Sequence, residues 1–485
     1  MERVVLDIRP VVFTVGLLLL VLAAAMIVPI GVSLSYDDGK WGTFVTSAAI
    51  TSFFGYALVL SCRGPRYHMN LRHVFLLPAS AWIILPIFAA LPFTFGGSNL
   101  HYTDSFFEAM SGLTTTGATI LSVVEDQPPS ILIWRSSLQW MGGIGTVLMA
   151  VTILPMLRVG GMQLFKTEAF DSPTKIFSRV SPLALRLVAL YMMLSAIWFS
   201  LYWMAGMSSF DAINHAMTTL SSGGFSTTSA SFARWQSPAL LLIACLGMIA
   251  AAMPFALYLQ AYRGAWNSLF HDKQVIVFLK ILIACTAVIA SWLIIDNHFD
   301  VETALIGAVF QTTSILSGTG YTATDTQLWG GLPVAILFAL QYFGGCAGST
   351  TGGVKIFRFQ VLYAAAKVQV ARMLRPNIVL YATFGKRRLR GSVDSVMAFF
   401  FLYAICICLL TIGLSLSGLD FTTAFSGASS AISNLGPGLG EIIGPTGNYA
   451  TLPDSAKWQL AFGMVVGRLE ILSILVLLQP AFWRE

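Results

Sequence analysis

Four short stretches of this 485-residue chain carry oxygen atoms at a spacing suited to holding a bare cation. They read LTTTGAT (113–119), SSGGFST (221–227), SGTGYTA (317–323) and NLGPGLG (434–440). An ion that sheds its hydration shell needs several oxygens aimed at it, as in filters lined by backbone carbonyls. Pointing successive carbonyls the same way demands unusual backbone dihedrals, which glycine adopts without steric cost. The hydroxyls of Thr114, Thr115 and Thr116 can add ligands or tie the strand to its surroundings. This is coordination chemistry with no covalent step. No paired carboxylates or His–Asp arrangement accompany the stretches within the apolar segments, which argues against an enzyme.

The elements that must position these stretches repeat four times. DSFFEAMSGLTTTGAT (104–119) aligns without gaps on DAINHAMTTLSSGGFS (211–226), and both reach glycine, Gly117 and Gly224, at the same offset. Two looser copies run from Glu302 to Gly320 and from Asp420 to Gly436. The leading part of each copy reads as a half-helix, with Asp104, Asp211 and Asp420 as N-caps. Its C-terminal end aims partial negative charge at the loop that follows, which favours a cation.

These polar loops lie between segments built for lipid. The composition is 56% hydrophobic and 10% charged, against about 25% charged in a soluble domain. Uncharged runs such as Val11 to Val32, Trp41 to Ser61 and Leu187 to Met207 approach the roughly 20 residues that cross a bilayer. The net charge of +6 does not point to nucleic acid. The basic residues gather in alternate connections, Arg63–Arg72, Arg158–Arg186, Arg263–Lys280 and Lys355–Arg390. The other connections hold only Lys40, Arg135, Arg234 and Lys457. That alternation places the basic connections and both termini in the cytoplasm. The first apolar run is longer than a signal-peptide core and is expected to remain as a helix. The six cysteines lack metal-ligand spacing and read as small core residues. His215 reads as a hydrogen-bonded packing residue.

The expected fold is an all-α polytopic membrane protein, with four pseudo-repeats of helix, pore loop and helix around one pore. Non-helical backbone survives at membrane depth only where protein shields it or a watery cavity takes it in, and a shared pore meets that demand. Residues 1–68 supply two N-terminal transmembrane helices. The repeats follow at 69–160, 161–265, 266–380 and 381–485, which makes ten crossings and keeps the termini on one side.

Two further features bear on the pore. In LPVAILFALQYFGGCAGSTTGGVKIFRFQ (332–360), a run of Gly344, Gly345, Gly348, Gly352 and Gly353 with Ser349, Thr350 and Thr351 is poor helix material. It is no nucleotide-binding P-loop, because Val354 separates Gly353 from Lys355. One reading is a broken helix whose middle crosses beneath the filter; the other is tight helix packing through small residues. Arg468 lies midway along the last apolar segment, where an arginine is costly unless it faces protein or water. It is expected to project toward the pore as a barrier to cations; the alternative is a static salt bridge between helices that holds Arg468 or Glu470. Glu470, two residues on, would lie on the opposite face of a continuous helix.

Taken together, LTTTGAT, SSGGFST, GGCAGSTTGG, NLGPGLGE, GRLEIL and the closing FWRE resemble the Trk/Ktr/HKT superfamily of K+ transporters over nearly the full chain. The resemblance is strongest to the bacterial Trk membrane subunit, which shares the two extra N-terminal helices. It implies that Gly117, Gly224, Gly320 and Gly436 are the filter glycines. With their neighbours, the candidate filter is Thr115, Thr116, Gly117, Ser222, Gly223, Gly224, Gly318, Thr319, Gly320, Asn434, Leu435 and Gly436. The resemblance also implies a gate at Gly345, Gly348, Ser349, Thr350, Thr351, Gly352 and Gly353, with Arg468 beside it. A glycine at position 117, rather than serine, goes with K+ over Na+ selectivity in plant relatives. The third filter departs from the pattern: SGTGY stands where something closer to Thr-Ala-Gly-Phe is expected, which bears on discrimination among K+, Na+ and Rb+.

The expected function is K+ uptake across the bacterial inner membrane through a selective, gated pore. The alternative is a symporter coupling K+ to H+ or Na+. No cofactor motif is present, and K+ or Rb+ is cargo. The resemblance further implies a homodimer and a cytosolic NAD- or ATP-binding regulatory subunit, for which segments 158–186 and 355–390 are long enough to serve as docking sites.

Overall fold

The computed structural model describes residues 7–64, 70–96, 100–153, 176–235, 237–375, 377–384, 387–389 and 391–483. Most of the basic connection 158–186, the boundaries at 68/69 and 160/161, and the last two residues therefore lie outside the described residues.

Among the described residues, six helices are long and apolar enough to cross a membrane: Arg9–Tyr36, Trp41–Ser61, Arg72–Phe95, Pro182–Met204, Lys273–Ile295 and Ser392–Leu416. The count rises to eight if two sharply bent pairs each form one span. The helix Pro129–Leu148, with 20 residues, is long enough but carries polar side chains inward. The chain is a multi-pass, all-α membrane protein turned inside out relative to a soluble one. Large apolar side chains such as Phe53, Leu416 and Phe401 face outward, while hydroxyls such as Thr116, Ser221 and Thr350 are fully buried.

Four half-helices lie between the spans, at Tyr102–Leu113, Ser209–Leu220, Val301–Leu316 and Phe421–Ser433. Their N-termini correct two of the three expected caps, those at Asp104 and Asp211. Asp420 does cap the fourth, accepting from the amide of Thr423. Ser208 caps the second, and Asp300 caps the third. Asp104 lies inside the first turn of the first half-helix and forms an ion pair with Lys457 of the last repeat instead.

The C-termini share one backbone device. The amides of Thr116, Gly223, Thr319 and Leu435 each reach back five residues, to the carbonyls of Ser111, Thr218, Ser314 and Ser430, at 2.9 to 3.1 Å. This is the hydrogen bond that closes a helix through a left-handed residue. The left-handed residues are Thr115, Ser222, Gly318 and Asn434. Two positions later, Gly117, Gly224, Gly320 and Gly436 also have positive φ, between 79° and 99°. The loose third and fourth copies thus match the first two residue for residue.

In the first and fourth repeats the second span leans on the end of its half-helix. A Cβ at Gly142 would lie 2.0 Å from the carbonyl oxygen of Leu113, and one at Gly467 would lie 2.1 Å from that of Ile432. Glycine permits this approach, so the QWMGGIG stretch (139–145) packs the first repeat closely.

Interruption of these second spans is wider than the sequence suggested. The second repeat turns by 93° between Pro238–Ala252 and Phe255–Tyr262, where Pro254 interrupts the helical ladder. The third stops at Leu340 and resumes at Ile356. The fourth turns by 105° between Asp454–Arg468 and Ile471–Leu478, with Glu470 at φ 58°. The expected continuous final helix is therefore corrected: Arg468 is the last residue of a half-span. Two basic connections are also more ordered than expected. Lys280 falls within the span Lys273–Ile295, and 355–390 holds the 19-residue helix Ile356–Leu374.

Candidate filter and gate

The four left-handed glycines face one another around a closed ring. A Cβ at Gly117 would lie 2.2 Å from the carbonyl oxygen of Gly223. One at Gly224 would lie 2.0 Å from that of Thr319, one at Gly320 2.2 Å from that of Leu435, and one at Gly436 2.7 Å from that of Thr116. Each repeat thus touches the next, and the fourth returns to the first. The touching oxygen belongs in every case to the residue just before the neighbour's glycine. Any side chain at these positions would collide with backbone, so packing and left-handed φ both require glycine. All four glycines line a cavity of about 100 Å³ whose upper wall is formed by the strands that leave the ring. The half-helices end here, and their dipoles converge at partial negative charge.

All twelve candidate filter residues fall in these loops, and side chains clamp the loops across repeats. Asn434 Nδ2 donates to Thr116 Oγ1 at 3.0 Å and to the Met464 carbonyl at 2.9 Å. Gln139 Nε2 donates to the Gly223 carbonyl at 2.6 Å, and its Oε1 accepts from the Phe225 amide. Tyr449 donates to the Gly436 carbonyl at 2.6 Å. Thr115 Oγ1 and Asn434 Oδ1 are buried without a hydrogen-bond partner among the described residues.

An ion pair that sequence reasoning missed supports the first two loops. Arg135 was assigned to an outer connection, but it lies inside the helix Pro129–Leu148 and is buried. Its Nε is 2.7 Å from Glu108 Oε1 on the first half-helix, and its guanidinium lies over the Phe225 ring at 4.1 Å. It also donates to the Ser226 carbonyl, while Glu108 accepts from Thr119 and Ile120. The signal was a charge within an apolar run matched by a glutamate in the neighbouring half-helix.

The glycine-rich segment crosses directly beneath the ring. Its ends are held together by parallel pairing of Phe343–Gly344 with Val354–Lys355. Between them, Thr350 Oγ1 lies 2.8 Å from Ser222 Oγ. A Cβ at Gly352 would meet the Ser433 carbonyl oxygen at 2.1 Å, and one at Gly348 would meet the Val151 side chain at 3.6 Å. Thr350 and Cys346 bond to the carbonyls of Ala251 and Ala252, and the Gly348 carbonyl accepts from the Phe255 amide at the bend of the second repeat. The segment therefore touches all four repeats. Within it, Thr351 Oγ1 accepts from the Gly345 amide and from Lys355 Nζ, and Ser349 Oγ lies 2.8 Å from it.

Arg468 ends its half-span nearby. It is 5% exposed, and none of its three guanidinium nitrogens has a hydrogen-bond partner among the described residues. It lies within electrostatic reach of Lys355. Glu470 pairs instead with Arg358 of the third repeat. The static salt bridge is thus real for Glu470, while Arg468 takes no part in it.

Comparison with known proteins agrees with this geometry. A family model described as "TrkH: Cation transport protein" matches residues 42–484. The chain belongs to the TrkH family of cation transport proteins. It is 39% identical over 479 residues to the Trk system potassium uptake protein TrkI of Halomonas elongata, covering 98% of this chain and 97% of that protein. It is 34% identical over 486 residues to the Trk system potassium uptake protein TrkH of Escherichia coli K12, covering 98% and 99%. The crystal structure of the potassium transporter TrkH from Vibrio parahaemolyticus superposes with a TM-score of 0.92 at 34% identity, over 99% of this chain and 100% of that one. Membership in the TrkH family accounts for the motifs that suggested it.

Proposed function

We propose that this chain takes up K+ across the bacterial inner membrane through one selective, gated pore in each subunit. The ring of Gly117, Gly224, Gly320 and Gly436 carries this reading, because four loops that meet through backbone oxygens make an ion-sized site and leave no room for side chains. The twelve ring residues are the filter, and 345–353 with Arg468 is the gate. A buried guanidinium with no hydrogen-bond partner among the described residues repels cations until the segment moves. Its own burial is costly, as expected of a charge kept for function.

Ions then move down their electrochemical gradient, at about 2.3 kcal/mol per charge for every 100 mV. Coupled symport is disfavoured, since the buried carboxylates Glu108 and Glu470 are held in ion pairs with Arg135 and Arg358. The reading includes cytoplasmic termini, a homodimer, no bound cofactor, and the repeat boundaries given above. It also includes a cytosolic NAD- or ATP-binding regulatory partner. The helix Ile356–Leu374 offers that partner a surface, with Tyr363, Val370, Met373 and Leu374 exposed and the gate joined to its N-terminal end.

The test is growth and K+ uptake at low external K+ in bacterial cells stripped of their own K+ uptake systems. The chain should restore both, and its G224A variant should restore neither. Equal uptake by the two would contradict the reading.

A further inference from the structure

At the position after each ring glycine stand four different residues, Ala118, Phe225, Tyr321 and Pro437, and only Tyr321 carries a hydroxyl. That hydroxyl is fully buried and reaches across a repeat boundary. Tyr321 Oη lies 2.5 Å from Thr218 Oγ1, 3.2 Å from Thr219 Oγ1 and 3.4 Å from the His215 carbonyl oxygen, all on the second half-helix. Thr219 is tied in turn to Tyr202 Oη at 2.8 Å. The ring of Tyr321 packs edge-on against Phe232 at 4.7 Å between centroids. At the other end of the residue, Ser314 Oγ donates to the Tyr321 carbonyl at 2.7 Å, holding the strand to its own half-helix. The third filter strand is therefore fixed to the half-helices of two repeats, immediately beside Gly320.

This anchor flanks a close backbone contact between the second and third repeats. The approach of Gly224 to the Thr319 oxygen, 2.0 Å from a Cβ position, is the shortest of the four. The separation of the second and third strands sets how far two rows of oxygens can close on an ion. A smaller cation needs closer oxygens, and a strand held from behind cannot move inward to supply them.

Building on the transport reading above, we propose that the Tyr321 hydroxyl is a positioning group for ion selectivity. By binding Thr218 and Thr219 it holds the third strand back at K+ spacing and so disfavours Na+. The substitution Y321F removes only this oxygen. Thr218 keeps its bond to the Asn214 carbonyl, and Thr219 keeps Tyr202, so no buried hydroxyl is stranded.

The experiment measures reversal potentials of the purified full-length protein in liposomes with K+ on one side and Na+ on the other, alongside thermal unfolding. The K+-to-Na+ permeability ratio should fall about three- to tenfold in Y321F, the range that one hydrogen bond's net worth allows, with K+ conduction and the unfolding temperature retained. T218V should lower the ratio in the same direction, and the double variant should fall short of the product of the two effects. An unchanged ratio in conducting Y321F overturns the clamp while leaving the transport reading intact. So does a lower unfolding temperature with the ratio unchanged, which would make the hydroxyl merely structural. A wild-type protein without K+ preference overturns the transport reading itself.

Discussion

Thr350 Oγ1, in the glycine-rich segment of the third repeat, lies 2.8 Å from Ser222 Oγ, at the left-handed residue that ends the second half-helix. The proposed gate and the proposed filter therefore share a hydrogen bond. Thr350 also binds the Ala251 carbonyl through its amide and its hydroxyl, so the bend of the second repeat is part of the same unit. Movement at that bend must either drag the segment or break these bonds.

Removing the contact should favour the open segment. T350V keeps the volume and deletes the hydroxyl's bonds to Ser222 and to the Ala251 carbonyl, so K+ flux through reconstituted protein is expected to rise at least about fivefold, the equivalent of about 1 kcal/mol. S222A should act in the same direction, because it removes the other half of the pair. Flux at or below the wild-type level in both variants would mean that the bond does not hold the gate shut.

Arg468 and its neighbour Glu470 should respond in opposite ways. In R468Q a buried guanidinium without hydrogen-bond partners among the described residues disappears, so flux should rise while thermal stability holds or improves. E470Q removes the negative charge that pairs with buried Arg358, and it should lower the unfolding temperature. Calorimetry and flux on the same preparations separate the two roles. A large loss of stability in R468Q would make that arginine structural.

Substitution of the ring glycines tests shape alone. G224A places a Cβ 2.0 Å from the Thr319 oxygen at φ +79°, and K+ flux should fall at least about tenfold. G206A provides the control, since Gly206 has φ +104° but nothing within 4 Å of its Cβ position. It should cost about 1 kcal/mol of stability through backbone strain and leave flux unchanged. Comparable losses of flux in both would trace the effect to strain and not to the ring.

The ring was legible in the sequence because steric demand there leaves one residue type. Gly117 and Gly224 are forced by contact and by φ together, and a four-fold pattern of such positions survives even where the flanking residues differ. The half-helices were legible for a similar reason, since polar residues with glycine cannot continue an apolar span. Of their caps only Asp420 was legible, because Asp104, Asp211 and Asp420 look equivalent locally. It is tertiary pairing with Lys457 that takes Asp104 out of the capping role. The bend at Glu470 was hidden because GRLEILSILVLL has the composition of a continuous helix, and the partner that holds Glu470, Arg358, is distant in sequence. Arg135 was hidden likewise. Its place is decided by Glu108, Ser226 and Phe225 together, none of which is a sequence neighbour.

The central claim is a K+-selective pore without coupled ions. Its most direct test is the reversal potential of the purified protein in liposomes under a K+ gradient, with and without an added pH gradient and with protein-free controls for proton leak. The account predicts a potential that follows the K+ gradient alone and does not move when the pH gradient is applied. A potential displaced by the pH gradient would contradict it and establish proton coupling in its place.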